Sequence, residues 1–388
     1  MSSFLAIIIA IVGLGFLILV HEFGHFIVAK ATGMRVEEFS LGFGRYLVSR
    51  RIGETVYGIS AVPLGGYVRV TGMHKEEFEA RIAEAREEEA QLRAETAGRR
   101  SQDPEDRLAG KRMLSADEIA ATPVERRYYS HPFWHKLLFI IAGVAMNMIV
   151  AFILIWIVGV TQGEGVTTTV VEAVEAGTPA AAAGVRPGDR IVSIAGEETE
   201  TWEEVRTEIL TKPGETVTVV VEREGALTEL TAVIQAREDG TGFLGVSPMA
   251  EVRDLGFVDG FGYAARTTGS MVVLIFQGIG MMFTGEVAVT GDQGLAGPIG
   301  IIDLSMDAVE GGYYLMLLAL ISINLAILNM LPVLPLDGGH ILWSIIERIR
   351  GRSLSLRIFE RISMVGLAIF LLLFLVATSN DISRLIPG

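Results

Sequence analysis

Apolar residues collect in four blocks, Phe4 to Val28, Leu137 to Val160, Tyr313 to Leu334 and Ile362 to Thr378. Each is long enough to span or nearly span a bilayer as a helix of about 20 residues. A fifth stretch, Met271 to Phe283, is too short, and Asp254 to Phe283 reads as an amphipathic segment on the outer membrane surface. Between Met34 and Met73 the period changes: Val48, Ile52, Val56, Ile59, Val62, Val68 and Val70 alternate with polar residues, and Gly53-Glu54 and Gly65-Gly66 supply turns, which predicts a small sheet. Glu76 to about Leu92 reads as a solvated helix and Arg99 to Arg127 as a mobile polar linker. From Val166 to about Pro248 the pattern is that of a compact domain, with helices at Ala180 to Gly184 and Trp202 to Thr211 and strands at Thr216 to Glu222 and Leu227 to Ile234.

The expected fold is a polytopic α-helical membrane protein of about four transmembrane helices, with a small membrane-dipping β-sheet on the cytoplasmic side and an extracytoplasmic α+β domain. The segments are a first transmembrane helix (1–30), a membrane-associated sheet (31–73), a charged cytoplasmic insertion (74–130), a second transmembrane helix (131–161), the extracytoplasmic domain (162–250), an interfacial linker (251–310), a third transmembrane helix (311–345), and a last stretch (346–388) holding a cytoplasmic loop, a fourth transmembrane helix and an outer C-terminus.

Composition agrees, since 50% of the 388 residues are hydrophobic and mean hydropathy is +0.45, high for a soluble chain. The first block lacks the basic start and small-residue cleavage site of a signal peptide. Basic residues give the orientation. Lys30, Arg35, Arg45, Arg50 and Arg51 follow the first block, Arg126, Arg127 and Lys136 precede the second, and Arg348, Arg350, Arg352, Arg357 and Arg361 join the third to the fourth. By the positive-inside rule these faces are cytoplasmic, and both termini and the acid-rich domain lie outside. The net charge of -14 argues against nucleic-acid binding.

The chemistry lies where polar residues are most costly. His21-Glu22-Phe23-Gly24-His25 falls inside the first block, and ionisable side chains in a transmembrane helix cost a few kcal/mol each on insertion scales. On a helix the two histidines share one face and can hold one metal ion, with Glu22 in reach of the water such an ion activates. His21 lies roughly 17 residues beyond Phe4, about 25 Å down a core about 30 Å thick, towards the cytoplasmic leaflet. Catalytic zinc takes a third protein ligand. The chain has no cysteine, and the remaining histidines, His74, His131, His135 and His340, offer no shared spacing. Asp337 is the best third ligand: Pro332 and Pro335 interrupt the third block at the depth of His21, and Gly338-Gly339 permits close backbone approach. Read alone, that segment is also an Asp-Gly turn ending a helix.

His-Glu-x-x-His in the first span with Asn329-x-x-Pro332-x-x-x-Leu336-Asp337-Gly338 in a later one resembles the site-2 protease family of intramembrane zinc metalloproteases. The likeness is nearer to its regulator-of-sigma-E protease branch, where Pro63-Leu64-Gly65-Gly66-Tyr67-Val68 and Gly297-Pro298-Ile299-Gly300 also match. The second span departs from the family's Gly-Pro-x-x-Asn, reading Gly143-Val144-Ala145-Met146-Asn147, which bears on local helix geometry more than on catalysis. Ala180 to Ile194 looks like a bacterial PDZ domain, with space for one such domain, and Phe243-Leu244-Gly245-Val246 resembles its carboxylate-binding loop.

The resemblance implies a bacterial inner-membrane zinc endopeptidase that hydrolyses bonds within the transmembrane segments of single-span proteins, after a site-1-type protease has trimmed their outer part. The substrates implied are anti-sigma factors of a stress response, or remnant signal peptides. His21, His25 and Asp337 would bind Zn2+ and Glu22 would act as general base. Asn329 would bind substrate or the developing oxyanion, residues Gly65, Gly66, Tyr67 and Val68 would pair with an unwound substrate, and Leu244 and Gly245 would serve the PDZ groove, which either captures a carboxyl terminus or filters by size. Two other readings are a catalytically inactive PDZ scaffold, expected to lack Glu22 or a metal ligand, and a zinc transporter, expected to carry polar residues across several spans.

Overall fold

The computed structural model describes residues 3–73, positions 78, 79, 82, 83, 86 and 87, and residues 114–385 other than 238, 287, 289, 292, 293, 353 and 354. Most of the expected solvated helix and the first part of the expected linker lie outside the described residues. The chain divides into two units, residues 1–156 with 264–388, and residues 157–263.

In the first unit, helix α1 (Ser3–Ala31) runs into two long strands, β1 (Val36–Ile52) and β2 (Thr55–Val70). Each strand doubles back on itself. Residues 38–41 pair on one side with 56–59 and on the other with 66–69, while 48–51 pair with 56–59, so the two strands build four rows in the order 46–52, 55–60, 38–41, 66–70, the central two parallel and each outer row antiparallel to its neighbour. The reversals fall at glycines with positive φ, Gly42 (88°) and Gly44 (87°) in β1 and Gly65 (105°) in β2, a backbone region that costs an L-residue 1–2 kcal/mol by rough estimate. Row 66–70 has no further strand partner among the described residues. It opens on a cavity of about 540 Å³ bordered by Phe43, Tyr67, Arg69, Met73 and Phe78. Phe43, Leu47, Val48, Ile59 and Val62 are exposed, an apolar surface that suits contact with lipid.

Residues 114–130, expected to be a mobile linker up to Arg127, are ordered. Ser115 and Glu118 form a capping box on the short helix α2 (Ala116–Ala120), followed by single 3-10 turns at Val124–Arg126 and Tyr128–Ser130. The charges that suggested solvation find partners far along the chain. Arg35 donates to the Glu118 carbonyl and the Thr122 hydroxyl, both at 2.6 Å, and Arg126 forms two 2.8 Å bonds to Glu54. His131 and His135, set aside in the sequence, are four residues apart, His131 two residues ahead of the next helix, with their Nδ1 atoms 3.4 Å from each other.

Helix α3 (Phe133–Gln162) crosses from this unit into the next. In the second unit β3 (Glu164–Val174), β4 (Arg190–Ile194), β5 (Glu197–Glu198), β6 (Thr216–Arg223), β7 (Ala226–Val233), β8 (Gln235–Ala236), β9 (Gly242–Phe243) and β10 (Val246–Arg253) surround two helices, α4 (Pro179–Ala183) and α5 (Trp202–Leu210). The main sheet is antiparallel in the order β10-β3-β4-β6-β7, and β8 pairs with β9. Val217, Val219 and Val221 alternate inward along β6 to meet Val171, Ile191, Val205, Ile209 and Leu244 in one core. Asp189 is buried there and bidentate to Arg223 at 2.7 and 2.8 Å.

The chain returns through α6 (Phe257–Thr284), one long amphipathic helix over the stretch 254–283 that the sequence reads as amphipathic, to α7 (Pro298–Glu310), α8 (Tyr314–Asn329), α9 (Asp337–Arg350) and α10 (Leu356–Leu385). Among the described residues, three helices are long and apolar enough to cross a membrane, within Ile7–Ala31, Phe133–Gln162 and Leu356–Arg384. The third apolar block is not one helix over 311–345. It stops at Asn329 after 16 residues, about 24 Å, because Pro332 has no N–H to extend the helix; a new helix begins at Asp337. Asp381, near the end of α10, is buried and accepts hydrogen bonds from the Gly297, Ile299 and Gly300 N–H groups at 2.9, 3.0 and 3.0 Å, capping α7.

Candidate metal centre

Two elements bring three potential metal-binding atoms to one point. Helical spacing puts His21 and His25 on one face of α1, and Asp337 enters as the first residue of α9, where a carboxylate also complements the helix dipole. The His21 Nε2 to Asp337 Oδ2 distance is 3.3 Å, that from His25 Nε2 to Oδ2 is 3.4 Å, and the two Nε2 atoms are 3.3 Å apart. Zinc bonds of about 2.0–2.1 Å to tetrahedrally arranged ligands set those ligands about 3.3–3.4 Å from one another. The triangle therefore has the edges that such an ion requires. Both histidines are buried, and Asp337 Oδ2 is buried without a hydrogen bond, an arrangement of converging lone pairs that a cation satisfies.

Asp337 owes its place to glycines. A Cβ at Gly338 would overlap the carbonyls of Met330 and Leu331, one at Gly339 the backbone of Val333 and Leu334, and one at Gly366 on α10 the Leu334 carbonyl. The loop 330–336 is thus packed backbone to backbone immediately ahead of Asp337.

Helix α3, treated in the sequence as a matter of helix geometry, forms a wall of the site. Phe139, Gly143 and Asn147, at intervals of four, share one face. His25 Nδ1 donates to the Phe139 carbonyl at 2.7 Å, which leaves Nε2 bare towards Asp337. Gly143 provides the room, since a Cβ there would fall on His25 Nε2 and lie 2.8 Å from His21 Cε1. Asn147 reaches His21 Nδ1 at 3.2 Å. The signal available in the sequence was the pair Gly143 and Asn147, four apart, with a buried amide inside an apolar span.

Glu22 turns to the other side of α1, towards the sheet. The Val68 backbone faces its carboxylate, and a Cβ at Gly66 would lie 3.0 Å from its Cγ. Gly66, Tyr67 and Val68 sit on the edge row 66–70, with Gly65 at the turn before it. The Tyr67 hydroxyl is already committed to Glu38 at 2.7 Å. Asn329 is the half-buried last residue of α8. Leu244 and Gly245 lie in the separate second unit: Leu244 is a core side chain, and Gly245, with φ 87°, is held against Thr178. Both border a groove of about 230 Å³ between α5 and the start of β10, lined also by Trp202, Arg206, Ile209 and Phe243.

The model of peptidase family M50 matches residues 9–373. A zinc metalloprotease RasP of Shouchella clausii is 32% identical over 95% of this chain and 96% of its own. The regulator of sigma-W protease RasP of Bacillus subtilis is 28% identical over 98% of each chain, and a putative zinc metalloprotease of Campylobacter jejuni is 32% identical over 99% of this chain and 94% of its own. The crystal structure of a PDZ domain of an SdrC-like protein from Listeria innocua is 26% identical, covers 22% of this chain and 93% of that one, and has a TM-score of 0.19. A family match that runs from the first apolar helix into the last, together with relatives alike over their whole length, means that this chain belongs to peptidase family M50, the site-2 proteases, and is a zinc metalloendopeptidase.

Proposed function

We propose that the enzyme hydrolyses peptide bonds within transmembrane segments of single-span membrane proteins, in a bacterial cytoplasmic membrane, after another protease has removed the substrate's outer domain. One observation carries this reading: Glu22, one residue from a metal ligand on α1, faces the edge row 66–70 of the sheet. A peptide bond in a helix is shielded by its own hydrogen bonds, so cleavage inside a membrane requires local unwinding. The open edge of that row offers replacement bonds by β-addition, and the cavity beside it has room for a chain.

In this reading His21, His25 and Asp337 hold zinc, which when bound supplies Lewis acidity and water activation. Glu22 accepts the proton of the attacking water and returns it to the leaving amine. Gly65 to Val68 hold the extended substrate through the backbone, and Asn329 donates to the substrate carbonyl as negative charge develops on it. The PDZ domain lies outside the cell with both termini, and excludes substrates whose outer part is intact. The name of the Bacillus subtilis relative favours an anti-sigma factor over remnant signal peptides as substrate.

The test is cleavage of candidate single-span proteins, whole and pre-trimmed, by purified enzyme and by Glu22→Gln in the same bilayers. Wild type should cut only the trimmed forms, at a site within the span, and the variant should cut neither. Cleavage mapped outside the span would sink the proposal.

A further inference from the structure

We propose that Asn147 is a positioning residue for the metal centre: its carboxamide oxygen accepts the His21 Nδ1–H and fixes that imidazole in the tautomer that presents a bare Nε2. The inference rests on reading His21, His25 and Asp337 as the zinc ligands.

Asn147 is fully buried in the apolar span α3, where an amide is kept only if it has partners. Its backbone carbonyl accepts the Ser322 hydroxyl of α8 at 2.9 Å, which fixes its place between two helices. The side chain presents Nδ2 to His21 Nδ1 at 3.2 Å and leaves Oδ1 buried without a partner. With Nδ2 as donor, Nδ1 must be the acceptor, and the ring proton moves to Nε2. It would then sit among the atoms 3.3 Å away, His25 Nε2 and Asp337 Oδ2, and His21 could not bind a metal there.

The two ends of a carboxamide are isosteric, so half a turn about its last torsion exchanges them. Oδ1 then receives Nδ1–H, and the His21 lone pair points at the ion. His25 already has the equivalent arrangement through the Phe139 carbonyl. One face of α3 thus supplies an acceptor to each histidine, by main chain at Phe139 and by side chain at Asn147. Outer acceptors of this kind are worth about 10- to 100-fold in metal affinity.

The experiment measures zinc affinity of full-length protein by chelator competition for wild type, Asn147→Leu, Asn147→Asp and Asp337→Asn, with nitrogen NMR of the His21 ring in wild-type apoprotein. Leucine keeps the number and branching of side-chain heavy atoms and removes the acceptor, so affinity should fall about 10- to 100-fold. Aspartate restores an acceptor and should stay within a few-fold of wild type. The apoprotein ring should carry its proton on Nδ1, a readout that stands even where a variant fails to fold. The assignment is overturned if aspartate does not bind at least about tenfold more tightly than leucine, or if the apoprotein proton resides on Nε2. Wild-type affinity in Asp337→Asn would instead overturn the ligand reading beneath it.

Discussion

Gly143 of α3 abuts His25 of α1 so closely that a side chain at position 143 would occupy the space in front of the His25 Nε2 atom. Gly143→Ala should therefore displace the ring. We expect a stability loss of about 1–3 kcal/mol from overpacking and a zinc content well below one equivalent by elemental analysis. Full occupancy would show that α3 can move aside.

Asp337→Asn and Glu22→Gln should separate binding from chemistry. The first removes a charged ligand and should lose zinc. The second should keep zinc at wild-type level and lose about 10²- to 10⁴-fold in turnover, the usual worth of a general base. Equal metal loss in both would refute the division of roles.

Gly66→Ala places a methyl 3.0 Å from Glu22 Cγ and 3.2 Å from Ile18 Cγ2. We expect retained zinc and turnover lower by about 10- to 100-fold, the scale of an ångström-sized misplacement. Unchanged turnover would mean that Glu22 is not held by this strand.

Glu54 sits at the turn of the hairpin, where hydrogen bonds from Arg126, aided by Lys30, hold its carboxyl at about 2. Because the folded value lies below the ordinary 4.5, the pair contributes stability above pH 4.5 and loses it as pH falls towards 2. The melting temperature of Glu54→Gln should thus lie below that of wild type at pH 7, with the gap closing between pH 4.5 and 2. The groups are partly exposed, so the gap at pH 7 corresponds to about 1 kcal/mol or less. A gap that is constant across this range would assign the effect to something other than ionisation.

Replacing residues 166–248 by a short linker should admit untrimmed membrane proteins as substrates in the cleavage assay. If trimmed substrates are lost as well, capture or seating by the domain replaces filtering. Changes at Leu244 or Gly245 then separate those two, since only capture depends on the groove.

How much of this was legible in the sequence follows from the range of the interactions. The helical pattern brought His21 and His25 together because four residues make one turn, and Asp337 was reached by depth and by glycine. The Phe139 carbonyl was invisible, because every residue has one. The row order in the sheet was hidden as well: it depends on reversals at Gly42 and Gly44, whereas hydrophobic alternation reports only which face a residue takes. Residues 114–127 misled because Arg35, Glu118 and Arg126 are paired across gaps of more than 70 residues, and a local charge count cannot distinguish a paired arginine from a solvated one.

The cap that Asp381 places on α7 restricts the motion open to α10. A slide of that helix by one turn, about 5.4 Å, would take a buried carboxylate away from its three backbone donors and leave it only Arg384 of the same helix, at 3.4 Å, a loss of several kcal/mol by rough estimate. A pivot about the Asp381 end keeps all three bonds. Further along the same helix, Gly366 rests against the Leu334 carbonyl, three residues before Asp337. Helix α10 is in effect a lever with its fulcrum at the start of α7 and its load at the loop that presents Asp337.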